Sequence, residues 1–166
     1  MCCTFYNPNL TSLEQQPPTG RVLALDVGKK RIGLAVSDEL GITAQGIETL
    51  QRTRIREDLD RLKQITAQWN VRLLLVGRPL HMSGEESRQS EYTREFAARL
   101  EQHVGLPVLY WDERLTSAEA ERALRQTGAS LKQRKNAVDR MAATLLLESY
   151  LGYCRLASQS DGGLHG

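Results

Sequence analysis

Three acidic residues stand where a carboxylate is unusual and where it could serve chemistry. Asp26 ends the first apolar run of the chain, Glu113 follows a later apolar run, and Asp139 lies inside an otherwise apolar helical pattern. A carboxylate in such surroundings loses hydration, and this loss costs free energy unless a positive charge lies nearby. If the three converge, they would form an oxygen-rich site for Mg²⁺ or Mn²⁺, which bind carboxylates together with water and substrate phosphate.

Basic residues cluster in the sequence beside two of these three acids. Residues 121–140 contain six basic and two acidic side chains, and residues 21–31 contain four basic side chains and one acid. A metal alone would account for the acids, whereas a phosphate-rich substrate would account for both signs of charge together. Ordinary surface charge is the competing explanation for any single lysine or arginine. The candidates for contacts with substrate are Lys29, Lys30, Arg31, Arg114 and the loop histidine His81.

Length and composition are those of one ordinary globular domain. The chain has 166 residues, of which 40% are hydrophobic and 25% charged, and its formal net charge is +2. No segment approaches the roughly 18–20 apolar residues that a membrane span needs, and its three cysteines fit no zinc spacing. We expect a cytoplasmic protein with no membrane partner. We also expect residues 1–20 to be a poorly ordered leader, residues 21–152 to be the domain and residues 153–166 to be a C-terminal tail.

Apolar runs and alternating patterns predict five strands. The first two are separated only by a short turn with one glycine and two lysines, so they are expected to form a hairpin. The later strand–helix–strand segment, residues 71–111, predicts a parallel pair with a right-handed crossover. These patterns together predict one α/β domain with a mixed sheet of about five strands. The predicted strands are residues 21–27, 31–37, 46–50, 71–76 and 108–111.

Apolar residues at helical spacing predict four helices. Two of them begin at capping boxes, at Ser83 and at Thr116, where a hydroxyl and a glutamate three residues later would satisfy free backbone amides. The last helix is expected to end at Gly152, because glycine is a common helix stop. The predicted helices are residues 55–69, 83–104, 116–128 and 132–151.

The predicted elements bring the three acids towards one side of the sheet. Asp26 and Glu113 each end a strand, and open α/β sheets bind ligands at the carboxyl ends of their strands. Asp139 shares a helical stripe with Ala142 and Ala143, whose small side chains would let the helix approach the sheet closely. The glycines after the first strand lack the Lys-Ser/Thr that a P-loop requires, and no G-x-G-x-x-G follows that strand. A metal centre is therefore favoured over a nucleotide-binding loop.

Four segments, spread in order over residues 21–151, together resemble the YqgF/RuvX family, whose members are labelled pre-16S rRNA nucleases or Holliday-junction-resolvase-like proteins. The resemblance implies an RNase H-like fold, with helices on both faces of the sheet. It also implies that Asp26, Glu113 and Asp139 are the catalytic carboxylates. The segments are DVGKKRIGLAVSD at 26–38, GRPL at 77–80, WDERLT at 111–116 with EAER at 119–122, and VD at 138–139 with AA at 142–143.

The resulting hypothesis is phosphodiester hydrolysis with two divalent ions, Mg²⁺ or Mn²⁺, about 4 Å apart. Nucleic acid is the expected partner, with pre-rRNA favoured over a DNA junction and processing of the 5′ end of pre-16S rRNA as the expected role. One alternative is a Holliday-junction-type DNA endonuclease, which would need a homodimer with two sites. A second is a non-catalytic RNA-binding ribosome-assembly factor. A third is an actin/Hsp70-like phosphotransferase, which normally needs two such domains.

Overall fold

The computed structural model describes residues 20–78, 88–112 and 131–162, so nearly all of the predicted leader lies outside the described residues. None of the helices in these ranges has an apolar stretch of the length that crossing a membrane requires. The elements are β1 Arg21–Val27, β2 Arg31–Ser37, β3 Ala44–Gln51, α1 Ile55–Gln68, β4 Val71–Arg78, α2 Arg88–Val104, β5 Val108–Asp112 and α3 Leu131–Gly162.

The strands form one mixed sheet of five in the order β3-β2-β1-β4-β5. β2 runs antiparallel to its neighbours β1 and β3, while β4 lies parallel to β1 and β5 lies parallel to β4. In this register Leu25 of β1 pairs with Leu34 of β2 on one side and with Val76 of β4 on the other. The predicted hairpin, the predicted parallel pair and the mixed sheet are all confirmed.

Helices cover both faces of this sheet. On one face, α1 and α2 bury Leu23 and Leu25 of β1 together with Phe96 of α2. On the opposite face, α3 buries Val22 and Ala24 of the same strand. Successive side chains of a strand point to opposite faces, and a strand covered on both faces is apolar throughout. The continuous apolar run of β1 is therefore explained, and the predicted helices on both faces are confirmed.

Most predicted element bounds agree closely with the structure. The bounds of β1 and β2 agree, α1 ends one residue early, and β3, β4 and β5 are one to three residues longer than predicted. The extra length arises because ladder pairing continues into polar residues, as in the pair of Arg78 with Asp112. The capping boxes at Ser83 and Thr116, and the predicted helix 116–128, lie outside the described residues.

The predicted helix end at Gly152 is wrong, because α3 continues to Gly162. Leu151 is buried in the core on the α3 face, and the ring of Tyr153 lies 5.3 Å from that of Trp111. A glycine inside a helix costs about 0.8–1.0 kcal/mol relative to alanine. The apolar contacts on both sides of Gly152 offset that cost, so the helix passes through the position where the predicted tail begins.

We expect Gly152→Ala to raise the free energy of unfolding by about 0.5–1 kcal/mol, because alanine favours a helical backbone. The nearest side-chain atom to the added Cβ would be a guanidinium nitrogen of Arg155 at 4.0 Å, so the methyl group has room. Equilibrium urea denaturation measures the change. A lower free energy of unfolding in the variant would mean that Gly152 ends the helix after all.

Candidate active site

The backbone of α3 meets the sheet directly opposite Asp26. Asp26 lies on the α3 face of β1, since Val22 and Ala24 lie there and side chains alternate along a strand. Its antiparallel partner in β2 is Gly33, and a Cβ built on Gly33 would lie 1.9 Å from the carbonyl oxygen of Asp139. Paired Cα atoms of antiparallel strands are about 4.5–5.5 Å apart. Asp26 and the backbone of Asp139 are thus near neighbours on one side of the sheet.

Small residues on both the helix and the sheet permit this close approach. Ala142 and Ala143 of α3 are fully buried against the sheet. On the sheet, Gly33 faces the backbone of Asp139, and Gly46 of β3 faces the side chains of Arg140 and Thr144. Any larger residue at Gly33 would hold Asp139 farther from β1. This packing agrees with the prediction that Ala142 and Ala143 let the last helix approach the sheet closely.

The carboxylate of Asp139 is paired with Arg31, the first residue of β2. Arg31 Nε donates to Asp139 Oδ2 at 2.6 Å, and the two side chains are 28% and 19% exposed. The charged hydrogen bond compensates a carboxylate that the helix has withdrawn from most of the solvent. The sequence did not predict this partner for Arg31, because residues 31 and 139 are far apart along the chain.

The turn between β1 and β2 presents the two predicted lysines to solvent. Lys29 and Lys30 are both exposed, and the amide of Gly28 donates to the carbonyl of Arg31 at 2.9 Å to close the turn. The turn immediately follows the strand that carries Asp26. Two positive charges therefore lie beside the carboxyl end of β1, where a polyanion could reach them.

Sequence reasoning missed Arg52, which fastens this turn to the rest of the domain. Its side chain is only 8% exposed, and its Nη1 donates to the carbonyl of Gly28 at 3.0 Å while its Nε donates to Asp58 at 3.3 Å. Its backbone amide donates to the carbonyl of Lys30 at 3.0 Å, and its guanidinium lies 5.0 Å from the ring centre of Tyr92. In the sequence Arg52 is one of three arginines at alternate positions, with Arg54 and Arg56, and no local pattern distinguishes it from its neighbours.

The third predicted carboxylate, Glu113, lies outside the described residues, as do Arg114 and His81. The strand before it is described: Trp111 of β5 pairs with Gly77 of β4 and packs against Tyr150 on the α3 face. Burial there raises the pKa of Tyr150 well above its ordinary value. Within the described ranges, no three His, Cys, Asp or Glu side chains lie together as a metal cluster.

A family model described as "RuvX: Holliday junction resolvase" matches residues 20–153. The chain belongs to the RuvX family. A relative from Koribacter versatilis is 54% identical over 132 residues, covering 80% of this chain and 86% of the relative. A relative from Clostridium novyi is 47% identical over 131 residues, covering 79% of this chain and 97% of the relative. Both are named "Putative pre-16S rRNA nuclease". The predicted family is confirmed for this RuvX protein.

Solved structures of low sequence identity share the fold of this RuvX protein. The T. thermophilus RuvC structure with a Holliday junction substrate aligns with a TM-score of 0.52 at 14% identity, covering 82% of this chain and 96% of RuvC. The fowlpox virus resolvase with its Holliday junction DNA aligns with a TM-score of 0.50 at 11% identity, covering 80% of this chain and 97% of the resolvase. At these identities the likeness concerns the fold, and the predicted RNase H-like fold is confirmed.

We expect Gly33→Ala to lower the free energy of unfolding by about 1–3 kcal/mol, the usual range for overpacking a well-filled core. The added methyl group would overlap backbone atoms of Asp139, which cannot rotate away as a side chain can. Gly46→Ala is the matched control, because its methyl group would meet the movable Thr144 hydroxyl at 3.1 Å. Equal stability of the Gly33 variant and the wild type in urea denaturation would contradict the close contact.

Proposed function

We propose that this RuvX protein is a metal-dependent endonuclease that hydrolyses phosphodiesters during processing of the 5′ end of pre-16S rRNA. The observation that carries the proposal is the placement of Asp26 and Asp139 on one side of the sheet, joined through the contact at Gly33. Family membership and the names of the relatives support a hydrolase acting on nucleic acid. A role in ribosome biogenesis would put the protein in the cytoplasm.

The chemistry of the donor set fits Mg²⁺ or Mn²⁺. Asp26 and Asp139 offer carboxylate oxygens, the ligands that these hard cations prefer, and we assign Glu113 as the third ligand. Two such ions would supply an activated water and stabilise the departing oxygen of the phosphodiester. The Asp139 carboxylate is partly buried and already accepts a hydrogen bond from the cationic Arg31, so a bound metal cation would take over a compensating role that Arg31 has in this structure.

The basic side chains of the chain itself would hold the substrate backbone. Lys29 and Lys30 are exposed on the turn after β1, so they can reach phosphates on either side of the scissile bond. Arg52 would act indirectly, since it contacts the turn and not the solvent. Arg31, Arg114 and His81 complete the proposed contacts with substrate.

A second candidate is a Holliday-junction-type DNA endonuclease, which the description of the family model favours. Cutting both strands of a two-fold junction requires two sites, hence a homodimer. Incubation with pre-16S rRNA and with a four-way DNA junction, each with Mn²⁺, Mg²⁺ or chelator, separates the candidates. We expect cation-dependent cleavage of the rRNA precursor. Junction cleavage alone would favour the second candidate, and tight RNA binding without any cleavage would favour a ribosome-assembly factor.

We expect Asp26→Asn to abolish cation-dependent cleavage of pre-16S rRNA while shifting the thermal transition little, because the amide keeps the shape of the side chain but not its charge. The matched control is Asp60→Asn on α1, on the opposite face of the sheet, where the exposed carboxylate contacts only His103 among the described partners at 2.7 Å. The control should cleave like the wild type. Undiminished cleavage by Asp26→Asn would end the proposal.

A further inference from the structure

Arg31 is paired with the Asp139 carboxylate, which is also a ligand of the proposed metal centre. Arg31 Nε lies 2.6 Å from Asp139 Oδ2, which is hydrogen-bonding distance for a charged pair. Arg31 is on the α3 face of β2, two residues before Gly33, so it shares the side of the sheet that holds Asp26. A cation coordinated by the same oxygen would have to displace the guanidinium or share the oxygen with it.

The local charges favour displacement once a divalent ion binds. Without an ion, Arg31 offsets the mutual repulsion of two carboxylates held on one side of the sheet, which otherwise disfavours their ionised forms. An ion held by the Asp139 carboxylate would place a double positive charge close to the same guanidinium and would repel it. The Arg31 side chain is 28% exposed and begins at the solvent-exposed turn of Lys29 and Lys30, so it has a route towards solvent.

We infer that Arg31 alternates between two partners: Asp139 when no divalent ion is bound, and a substrate phosphate when the ion has taken Asp139. The inference rests on the proposed function, since it assumes the ion of the nuclease site. The released guanidinium would stand beside Lys29 and Lys30, and arginine binds phosphate well because its planar donors match the phosphate oxygens. Ion binding and substrate binding then strengthen each other by the same factor.

A purely structural ion pair makes different predictions. Such a pair would tie β2 to α3 whether or not an ion is present, and its loss would weaken or leave unchanged the binding of Mn²⁺. A guanidinium that competes with the ion instead lowers the ion's affinity in the wild type. The sign of the change in Mn²⁺ affinity on removing Arg31 therefore separates the two roles.

The first measurement is Mn²⁺ binding by isothermal titration calorimetry with wild-type protein, Arg31→Gln and the matched variant Arg31→Lys. We expect Arg31→Gln to bind Mn²⁺ about three- to fivefold more tightly, the upper part of the range expected when a partly exposed ion pair is lost as a competitor. Arg31→Lys keeps the charge and should stay within about twofold of the wild type. Unchanged or weaker Mn²⁺ binding by a folded Arg31→Gln would overturn the inference.

The second measurement uses wild-type protein and does not depend on the folding of Arg31→Gln. The Arg31 Nε–H signal in ¹H–¹⁵N spectra, assigned through its loss in Arg31→Lys, should be protected from exchange in chelator. Saturating Mg²⁺ should remove that protection, and adding a non-cleaved RNA analogue should restore it at a new chemical shift. A signal that stays protected and unshifted on saturation with Mg²⁺ would contradict the inference. Failure of the wild type to bind any divalent ion would instead contradict the proposed function.

Discussion

The contact between the backbone of α3 and the backbone of β2 at Gly33 is the constraint on which the rest of the site depends. Asp139 is remote from Asp26 along the chain, and only a helix lying directly on the sheet brings it beside β1. That approach requires glycine in the strand and small residues, Ala142 and Ala143, in the helix. The packing of the core on this face thereby places the backbones of Asp26 and Asp139 close together.

The same packing has an electrostatic consequence for Asp139. A helix that lies this close to the sheet excludes water, so the carboxylate of Asp139 has lost most of its hydration and needs a positive partner. Arg31 supplies one from the neighbouring strand. Arg31 therefore compensates the charge of the Asp139 carboxylate within the fold itself. The buried Arg52 differs, because it is enclosed by Asp58 and two aromatic rings and holds the turn in place.

Local patterns predicted the elements well where burial follows a simple period. The bounds of β1 and β2 could be read from the sequence because β1 is an apolar run, β2 alternates apolar with small or polar residues, and a short turn separates them. The helix α1 could be read because its apolar residues have helical spacing. The end of α3 could not, because the residues that carry the helix past Gly152 contact Trp111 and the sheet. Pairings such as Arg31 with Asp139 and Arg52 with Gly28 depend on how the elements pack, which no local pattern records. Ala142 and Ala143 are the exception, since two small residues on the helical stripe of Asp139 indicate from the sequence alone that α3 lies close to the sheet.

The most direct test of the proposed three-carboxylate centre is localised cleavage of the backbone by a bound iron ion. Fe²⁺ replaces Mg²⁺ in oxygen-rich sites, and with ascorbate and peroxide it generates hydroxyl radicals that cut the polypeptide near the ion. Mass spectrometry of the fragments should show cuts around residues 26, 113 and 139, suppressed by excess Mg²⁺. Cuts around 26 and 139 with none around 113, or cuts confined to other parts of the chain, would contradict the account.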